Sequence, residues 1–147
     1  MRIFVAMSGG VDSSVVAALL KEQGHDLTGV YLKVWSPELE DVMGGCPWED
    51  DVPAVSAVGR HLGIPTEVWD VSKEYFENVV EYFFDEYKKG RTPNPDVMCN
   101  REMKFGIFLR RALERGADMI ATGHYARVVD ARTYRAAPSR SCSLVQR

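Results

Sequence analysis

The 147-residue sequence has no apolar run near the length of about 20 residues that a membrane-spanning helix needs. Its N-terminus has only the short stretch Arg2–Met7 before polar residues begin, which does not fit a signal peptide. Cysteine is also scarce. Cys46, Cys99 and Cys142 are odd in number and form no Cys-x-x-Cys pair, so a disulfide framework and a common zinc site are poor interpretations. The sequence therefore predicts no membrane span and no secretion, and a reducing cytoplasm is the expected location.

Positive charge is scarce in the first 87 residues, where five Lys and Arg stand against sixteen Asp and Glu. Residues 88–115 reverse this balance, with eight Lys and Arg against three acids, a net charge of +5. A polyanion such as a nucleic acid would bind this stretch, although a solvated helix face has the same composition, and charge alone favours the latter. The apolar content of 46% predicts one domain with a buried core.

Apolar runs of strand and helix type alternate along the chain. In order, the expected elements are strand Arg2–Met7, a helix through Val15–Leu20 to a stop at Gly24, strand Leu27–Trp35, loop Ser36–Asp51, helix Val52–His61, strand Thr66–Val71, helix Lys73–Lys89, loop Arg91–Asp96, helix Cys99–Arg115 and strand Asp118–Thr122. This alternation predicts an α/β fold, a doubly wound sheet of about five parallel strands between two layers of helices. Ligands of such sheets bind beyond the carboxyl ends of the strands, so Thr122-Gly123-His124 is expected to lie beside the loop after the first strand.

That first loop, Ser8-Gly9-Gly10-Val11-Asp12-Ser13-Ser14, has the composition of a phosphate cradle. Two glycines let the main chain approach an anion, and the following helix offers free N–H groups and the positive end of its dipole. The segment lacks both the lysine of a Walker loop and the spacing of a dinucleotide fingerprint. A capped helix after a glycine turn is the alternative, which the Asp and the two serines disfavour.

This loop resembles the pyrophosphate loop of the N-type ATP pyrophosphatases. Further segments resemble the tRNA-specific 2-thiouridylases of that superfamily: Gly63-Ile64-Pro65, Arg91-Thr92-Pro93-Asn94-Pro95-Asp96, Cys99-Asn100 with Lys104-Phe105-Gly106, and Ala121-Thr122-Gly123-His124-Tyr125-Ala126-Arg127. The resemblance implies an adenine nucleotide alpha hydrolase-like, three-layer catalytic domain over residues 1–131. It leaves residues 132–147 as an atypical tail expected to lack structure.

The resemblance implies ATP-dependent 2-thiolation of the wobble uridine of tRNA. The uridine C2 oxygen attacks the α-phosphate of ATP, pyrophosphate leaves, and a persulfide sulfur then displaces AMP. The implied ATP site consists of Ala6, Met7, Ser8, Gly9, Gly10, Val11, Asp12, Ser13, Ser14, Leu32 and Gly123. Asp12 is also expected to help place Mg²⁺ or the loop itself, and the Leu32 side chain is equally expected to have a structural role.

Cys99 and Asp96 are the other expected catalytic residues. At the start of its expected helix, Cys99 gains from the helix dipole, which favours the thiolate and makes it a candidate nucleophile; the alternative is a small buried apolar side chain. The resemblance makes Cys99 the partner of a downstream persulfide cysteine, with a disulfide closing between them as sulfur leaves. It assigns contacts with the anticodon loop or target base to Asn94, Pro95, Asp96, Arg101, Lys104 and His124, and it implies a persulfide donor protein as partner.

The sequence departs from that family beyond its middle. Family members continue for roughly twice this length, with the second cysteine in that part, so a truncated N-terminal catalytic domain is expected. The segment Ala137–Arg147 matches nothing expected there, and Cys142 does not replace the second cysteine. Cys46 has no assigned role, and two aligned cysteines cannot supply the usual four ligands of an iron–sulfur cluster, which has been proposed for some relatives. Two alternatives stay open: an ATP-binding module without complete sulfur transfer, and another ligase of the superfamily that activates a carboxylate.

Overall fold

The computed structural model describes residues 1–34, 48–130, 133–136 and 144–146. Cys46, Cys142 and the first twelve residues of the expected Ser36–Asp51 loop lie outside the described residues, as does Trp35 at the end of the second expected strand. No helix within the described ranges is long and apolar enough to cross a membrane.

The central sheet runs through the middle of the domain. Its parallel strands are β1 (Arg2–Ala6), β2 (Asp26–Lys33), β3 (Thr66–Asp70) and β4 (Met119–Thr122). The chain continues through β5 (Ala126–Asp130) and β6 (Thr133–Ala136), which pair as an antiparallel hairpin, to β7 (Leu144–Gln146). The sheet order is β3-β2-β1-β4-β7. β1 therefore lies inside the sheet, and the chain switches direction between β1 and β4, as the doubly wound prediction requires.

The sheet corrects one part of the sequence prediction, because it has four parallel strands and not five. β7 pairs antiparallel with β4, in the register Ala121↔Val145. A parallel neighbour needs a crossover connection, usually a helix, whereas the described residues after β4 form a hairpin. Within residues 132–147, expected to lack structure, β6 and β7 are two strands held by main-chain pairing.

Helices cover both faces of the sheet. On one face, α1 (Val11–Glu22) and α2 (Trp48–Leu62) pack against side chains such as Val5 in a cluster of buried residues. On the other face lie α3, which comprises Ser72–Tyr75, the π-helical Phe76–Val80 and Glu81–Lys88, and α4, which comprises Pro95–Met98, the π-helical Cys99–Phe108 and Leu109–Glu114. Phe4 of β1 packs there with Trp69 and Phe108. Residues 4 and 5 thus point to opposite layers, as the period of a strand dictates.

Two helices begin earlier than the sequence predicts. α2 begins at Trp48 and not at Val52, and Glu49, Asp50 and Asp51 fill its first turn. Carboxylates at that position interact favourably with the helix dipole, so acids that look like a polar loop in the sequence stabilise the helix instead. Pro53 lies within the helix, where it forgoes one main-chain hydrogen bond.

α4 begins at Pro95, four residues before the expected Cys99. The side-chain oxygen of Asn94 accepts hydrogen bonds from the N–H groups of Asp96 (3.0 Å) and Val97 (3.2 Å). Pro95 occupies the first helical position, where its missing N–H costs nothing. The loop prediction was therefore wrong for Pro95 and Asp96, and Cys99 lies in the second turn of the helix.

Candidate functional site

A cavity of about 350 Å³ lies where the strands end, at the switch point between β1 and β4. The loops after both strands and the side chains of α4 form its walls. Its lining residues are Ala6, Met7, Ser8, Asp12, Ser13, Val30, Tyr31, Leu32, Val34, Asp51, Cys99, Met103, Lys104, Thr122, Gly123 and His124. The expected position of Thr122-Gly123-His124 beside the first loop is confirmed.

The loop after β1 holds its shape through serine hydroxyls. The Ser13 hydroxyl accepts a hydrogen bond from the Ser8 N–H and donates to the Gly10 carbonyl, both at 3.2 Å. The Ser14 hydroxyl donates to the same carbonyl at 2.8 Å. The N–H groups of the first turn of α1 have no partner within the helix and carry the positive end of its dipole. The loop thus exposes main-chain donors of the kind that bind an anion.

Two glycines permit this packing. Gly9 has φ +81°, a left-handed conformation, and a Cβ added there would lie 3.2 Å from the Asp51 carbonyl oxygen. A Cβ added at Gly123 would lie 3.0 Å from the Ser13 nitrogen. The loop after β4 therefore touches the main chain at the start of α1, and only a residue without a side chain fits between them.

Oxygen ligands lie beside this loop. Asp12 accepts a hydrogen bond of 2.5 Å from the Tyr125 hydroxyl, and Asp51 accepts one of 3.1 Å from the Tyr31 hydroxyl. Within the described ranges, no group of three or more His, Cys, Asp or Glu side chains is placed to hold a metal ion. Mg²⁺ commonly binds through one or two carboxylates together with substrate phosphates, and Asp12 and Asp51 at the mouth of a phosphate loop fit that mode.

An apolar wall faces the loop. Leu32 belongs to β2, pairs with Trp69 of β3, and packs against both side-chain clusters on the α4 face of the sheet. Val30, Val34 and Met103 line the cavity next to it. A flat, uncharged ring system would find its apolar contacts here.

Cys99 lies half-buried at the opposite wall, on α4. Burial raises the pKa of its thiol above the ordinary value; the Lys104 ammonium lowers it, and the Asp96 carboxylate raises it further. The expectation of a thiol activated by the helix N-terminus is therefore wrong, because the helix begins four residues earlier and the dipole effect falls off within the first turn. Lys104 is the neighbouring group that favours the thiolate.

His124 is bonded on both ring nitrogens. Its Nδ1 lies 2.6 Å from the Thr122 hydroxyl and its Nε2 lies 2.9 Å from the Asn100 side-chain oxygen. Its ring centroid lies 5.5 Å from that of Phe105. Burial lowers the pKa of His124, and the Lys104 charge lowers it further, so both favour the neutral ring.

The cavity brings together ten of the residues that the sequence singled out. They are Ala6, Met7, Ser8, Asp12, Ser13, Leu32, Cys99, Lys104, Gly123 and His124. Eight do not line it: Gly9, Gly10, Val11, Ser14, Asn94, Pro95, Asp96 and Arg101. Gly10 and Ser14 hold the shape of the loop through a hydrogen bond but do not line the cavity. The Val11 side chain is 77% exposed, and Asn94 caps α4. Sequence reasoning missed Val30, Tyr31, Val34, Asp51 and Met103, although the neighbours of Leu32 could have been found from their position near the end of β2. Thr122 was placed beside the loop but was not assigned to the site.

The basic stretch 88–115 is largely neutralised by acidic partners. Six of its eight cations form ion pairs: Lys88–Asp85, Lys89–Glu86, Arg91–Glu86, Arg101–Glu102, Arg111–Glu74 and Arg115–Glu67. Lys104 and Arg110 form no ion pair with any residue that the structure describes. Lys104 is thus the cation of this stretch that faces the cavity.

Comparison with known proteins gives the same family for nearly the whole chain. The family model described as tRNA methyl transferase HUP domain matches residues 1–143. The chain is 56% identical over 129 residues to tRNA-specific 2-thiouridylase MnmA of Akkermansia muciniphila, covering 88% of this chain and 36% of that protein. It is 54% identical over 127 residues to the protein of the same name from Bacillus subtilis strain 168, covering 86% and 34%.

A solved structure supports the fold alone. The predicted subunit of tRNA methyltransferase from Methanocaldococcus jannaschii superposes with a TM-score of 0.56 at 19% identity, covering 90% of this chain and 56% of that one. The chain spans about a third of the length of the curated relatives named above. With a match over residues 1–143, and with the phosphate loop and Cys99 on one cavity, the chain belongs to the tRNA methyl transferase HUP domain family.

Proposed function

We propose that this chain is the N-terminal catalytic domain of a tRNA-uridine 2-sulfurtransferase that acts in the cytoplasm. The observation that carries the proposal is the single cavity on which Ser8, Asp12 and Ser13 of the phosphate loop meet Cys99 and Lys104 of α4. Nucleotide activation and sulfur transfer need these two kinds of group within reach of one substrate atom. The names of the curated relatives support tRNA as the substrate.

In the first step, the uridine C2 oxygen attacks the α-phosphate of ATP and pyrophosphate leaves. The main-chain N–H groups at the start of α1 hold the departing pyrophosphate, with hydroxyl groups of Ser8 and Ser13 beside them. The adenine ring lies against Leu32 and the apolar wall. Lys104 faces the α-phosphate and stabilises the charge that develops there.

Asp12, with Asp51 on the same cavity, is the residue that would hold Mg²⁺ against the ATP phosphates. The ion supplies neutralisation of the phosphate charge when it is bound. The Tyr125 hydroxyl, hydrogen-bonded to Asp12, orients that carboxylate.

In the second step, the terminal sulfur of a cysteine persulfide attacks C2 and AMP leaves. The Cys99 thiolate then attacks the other sulfur of that former persulfide, so the bond to the transferred sulfur breaks and a disulfide with Cys99 forms. The persulfide cysteine comes from a longer chain or from a donor protein. Asp96, in the first turn of α4 and three residues before Cys99, orients the uridine or takes its proton.

The rim beside Cys99 is the proposed tRNA-binding surface. Pro95 and Asp96 are exposed on it, Arg101 projects from the same helix, and Asn94 fixes the helix start on which they stand. Ion pairing within the chain reduces the free positive charge, so the affinity for RNA alone is expected to be modest.

Calorimetry and product analysis test the two steps separately. We expect ATP with Mg²⁺ to bind, GTP to bind much more weakly, and Asp12→Ala to lose most of the ATP signal. The chain with ATP, unmodified tRNA and a persulfide donor should then release AMP, and 2-thiouridine formation should depend on Cys99. Equal heats for ATP and GTP would overturn the nucleotide assignment, and 2-thiouridine formation that survives Cys99→Ser would overturn the role of Cys99.

ATP binding without 2-thiouridine formation would favour the second candidate function, an ATP-binding module that does not complete sulfur transfer. The observation that favours this candidate is the single cysteine, Cys99, on the cavity among the described residues, because a sulfur relay needs two. Activation of a carboxylate in place of tRNA would identify another ligase of the superfamily.

A further inference from the structure

The bonds of His124 determine which of its nitrogens carries the proton. The Asn100 oxygen only accepts hydrogen bonds, so Nε2, 2.9 Å away, is the donor in that pair. In a neutral ring Nδ1 is then an acceptor, and the Thr122 hydroxyl donates to it across 2.6 Å. Thr122 is 1% exposed at the end of β4, so burial holds its hydroxyl in place beside the ring.

These bonds connect the two walls of the cavity. Asn100 follows Cys99 directly on the π-helical segment of α4. His124 follows Gly123, whose main chain touches the start of α1. The hydrogen bond from His124 to Asn100 therefore links the helical turn that carries Cys99 to the loop after β4, which packs against the phosphate loop. The ring contact with Phe105 fixes the orientation of the imidazole.

We propose that Asn100 is a positioning residue, whose side-chain oxygen holds His124 as the neutral Nε2–H tautomer and thereby ties the helical turn of Cys99 to the phosphate-loop side of the cavity. The proposal rests on the proposed function for its purpose, which is to keep the thiol at a fixed distance from the activated uridine. It gives His124 a role within the protein, because both ring nitrogens are engaged before any RNA binds. Burial of the ring and the adjacent Lys104 charge keep His124 neutral.

Nitrogen NMR of the histidine rings tests the tautomer directly, without ATP or RNA. The chain has three histidines, and His124→Gln identifies the His124 signals by their loss. We expect the Nε2–H tautomer in the unmodified chain and a mixture of tautomers in Asn100→Ala. An Nδ1–H ring in the unmodified chain would overturn the proposal without any variant, as would an unchanged single tautomer in Asn100→Ala.

Alkylation of Cys99, in a background with Cys46→Ser and Cys142→Ser, tests the tie to the thiol. We expect Asn100→Ala to raise the alkylation rate about fivefold, the size of one lost hydrogen bond, because the half-buried turn opens more often. Asn78→Ala is the matched control, since the Asn78 side chain donates to the Glu74 carbonyl of α3 and to no other described residue, and its rate should equal that of the parent. Equal alkylation rates in Asn100→Ala and Asn78→Ala would show that the Asn100–His124 hydrogen bond does not restrain the turn that carries Cys99. Absence of ATP binding or thiolation in the unmodified chain would instead contradict the proposed function and leave the tautomer result intact.

Discussion

The two walls of the cavity are formed by different kinds of chemical group. The phosphate-loop wall consists of main-chain N–H groups and short hydroxyl side chains, held between parallel strands and the start of α1. The α4 wall consists of the side chains of Cys99, Met103 and Lys104 on a π-helical segment. The first wall depends on where the backbone lies, and the second on which side chains the helix carries. Substitutions on the two walls are therefore expected to act differently.

The largest effect is expected from Gly123→Val, which tests the main-chain wall. An added Cβ lies 3.0 Å from the Ser13 nitrogen, so the loop after β4 and the start of α1 must separate. Overpacking of this kind costs about 1–3 kcal/mol, and if that free energy is taken from binding, ATP affinity falls up to about a hundredfold. Calorimetric titration with ATP measures the loss.

Gly24→Ala is the control for that substitution. Gly24 has φ +80° at the end of α1, but nothing lies within 4 Å of an added Cβ. The strain of a left-handed alanine should lower the free energy of unfolding by about 1–2 kcal/mol and leave ATP affinity unchanged. If both variants lose ATP affinity equally, general destabilisation and not loop geometry is responsible.

A smaller effect is expected from Lys104→Met, which tests the side-chain wall. Methionine keeps the apolar stem and removes the charge, so the α4 wall retains its packing while a phosphate loses its cation. We expect ATP affinity to fall about tenfold, the size of one charge-assisted hydrogen bond. Lys21→Met, on the exposed last turn of α1, is the matched control. An unchanged ATP affinity in Lys104→Met would restrict Lys104 to the thiol and remove it from the nucleotide.

The two walls also differ in how far the sequence predicted them. Gly9, Gly123 and the serines are readable because a main-chain site needs glycine and small hydroxyl residues at fixed spacing. The position of Cys99 in its helix was not, because Pro93 and Pro95 look like one loop until it is clear that Asn94 caps the helix and Pro95 opens it. Asp51 was missed for a similar reason, since the acids that begin α2 look like loop residues.

The effect of the positive charge in residues 88–115 was also predicted only in part from the sequence. The net charge of +5 over residues 88–115 is a property of composition, but its effect depends on which acids fold against it. Arg111 and Arg115 meet Glu74 and Glu67, which lie 37 and 48 residues away in sequence. A linear count cannot detect such pairs, so it overstated the free positive charge near Cys99.

The smallest effect is expected in the pH dependence of Cys99 alkylation. This measurement distinguishes a thiol whose pKa is lowered by the helix dipole from one whose pKa is raised by burial. A thiol at a helix N-terminus would have a lowered pKa, whereas burial raises the pKa of Cys99 here. The rate of alkylation by a neutral reagent should therefore keep rising with pH beyond the range of an ordinary thiol, because only the thiolate reacts. The measurement uses the Cys46→Ser, Cys142→Ser background, so that Cys99 is the only cysteine.

Two substitutions should move that pH profile in opposite directions. Asp96→Asn removes a negative charge that disfavours the thiolate, so the pKa of Cys99 falls and the rate at neutral pH rises. Lys104→Met removes the charge that favours the thiolate, so the pKa rises and the neutral rate falls. Each substitution should change the alkylation rate at a given pH a few-fold. A profile that begins below the ordinary thiol range, or a shift of the same sign in both variants, would show that the helix dipole and not these two side chains controls the thiol.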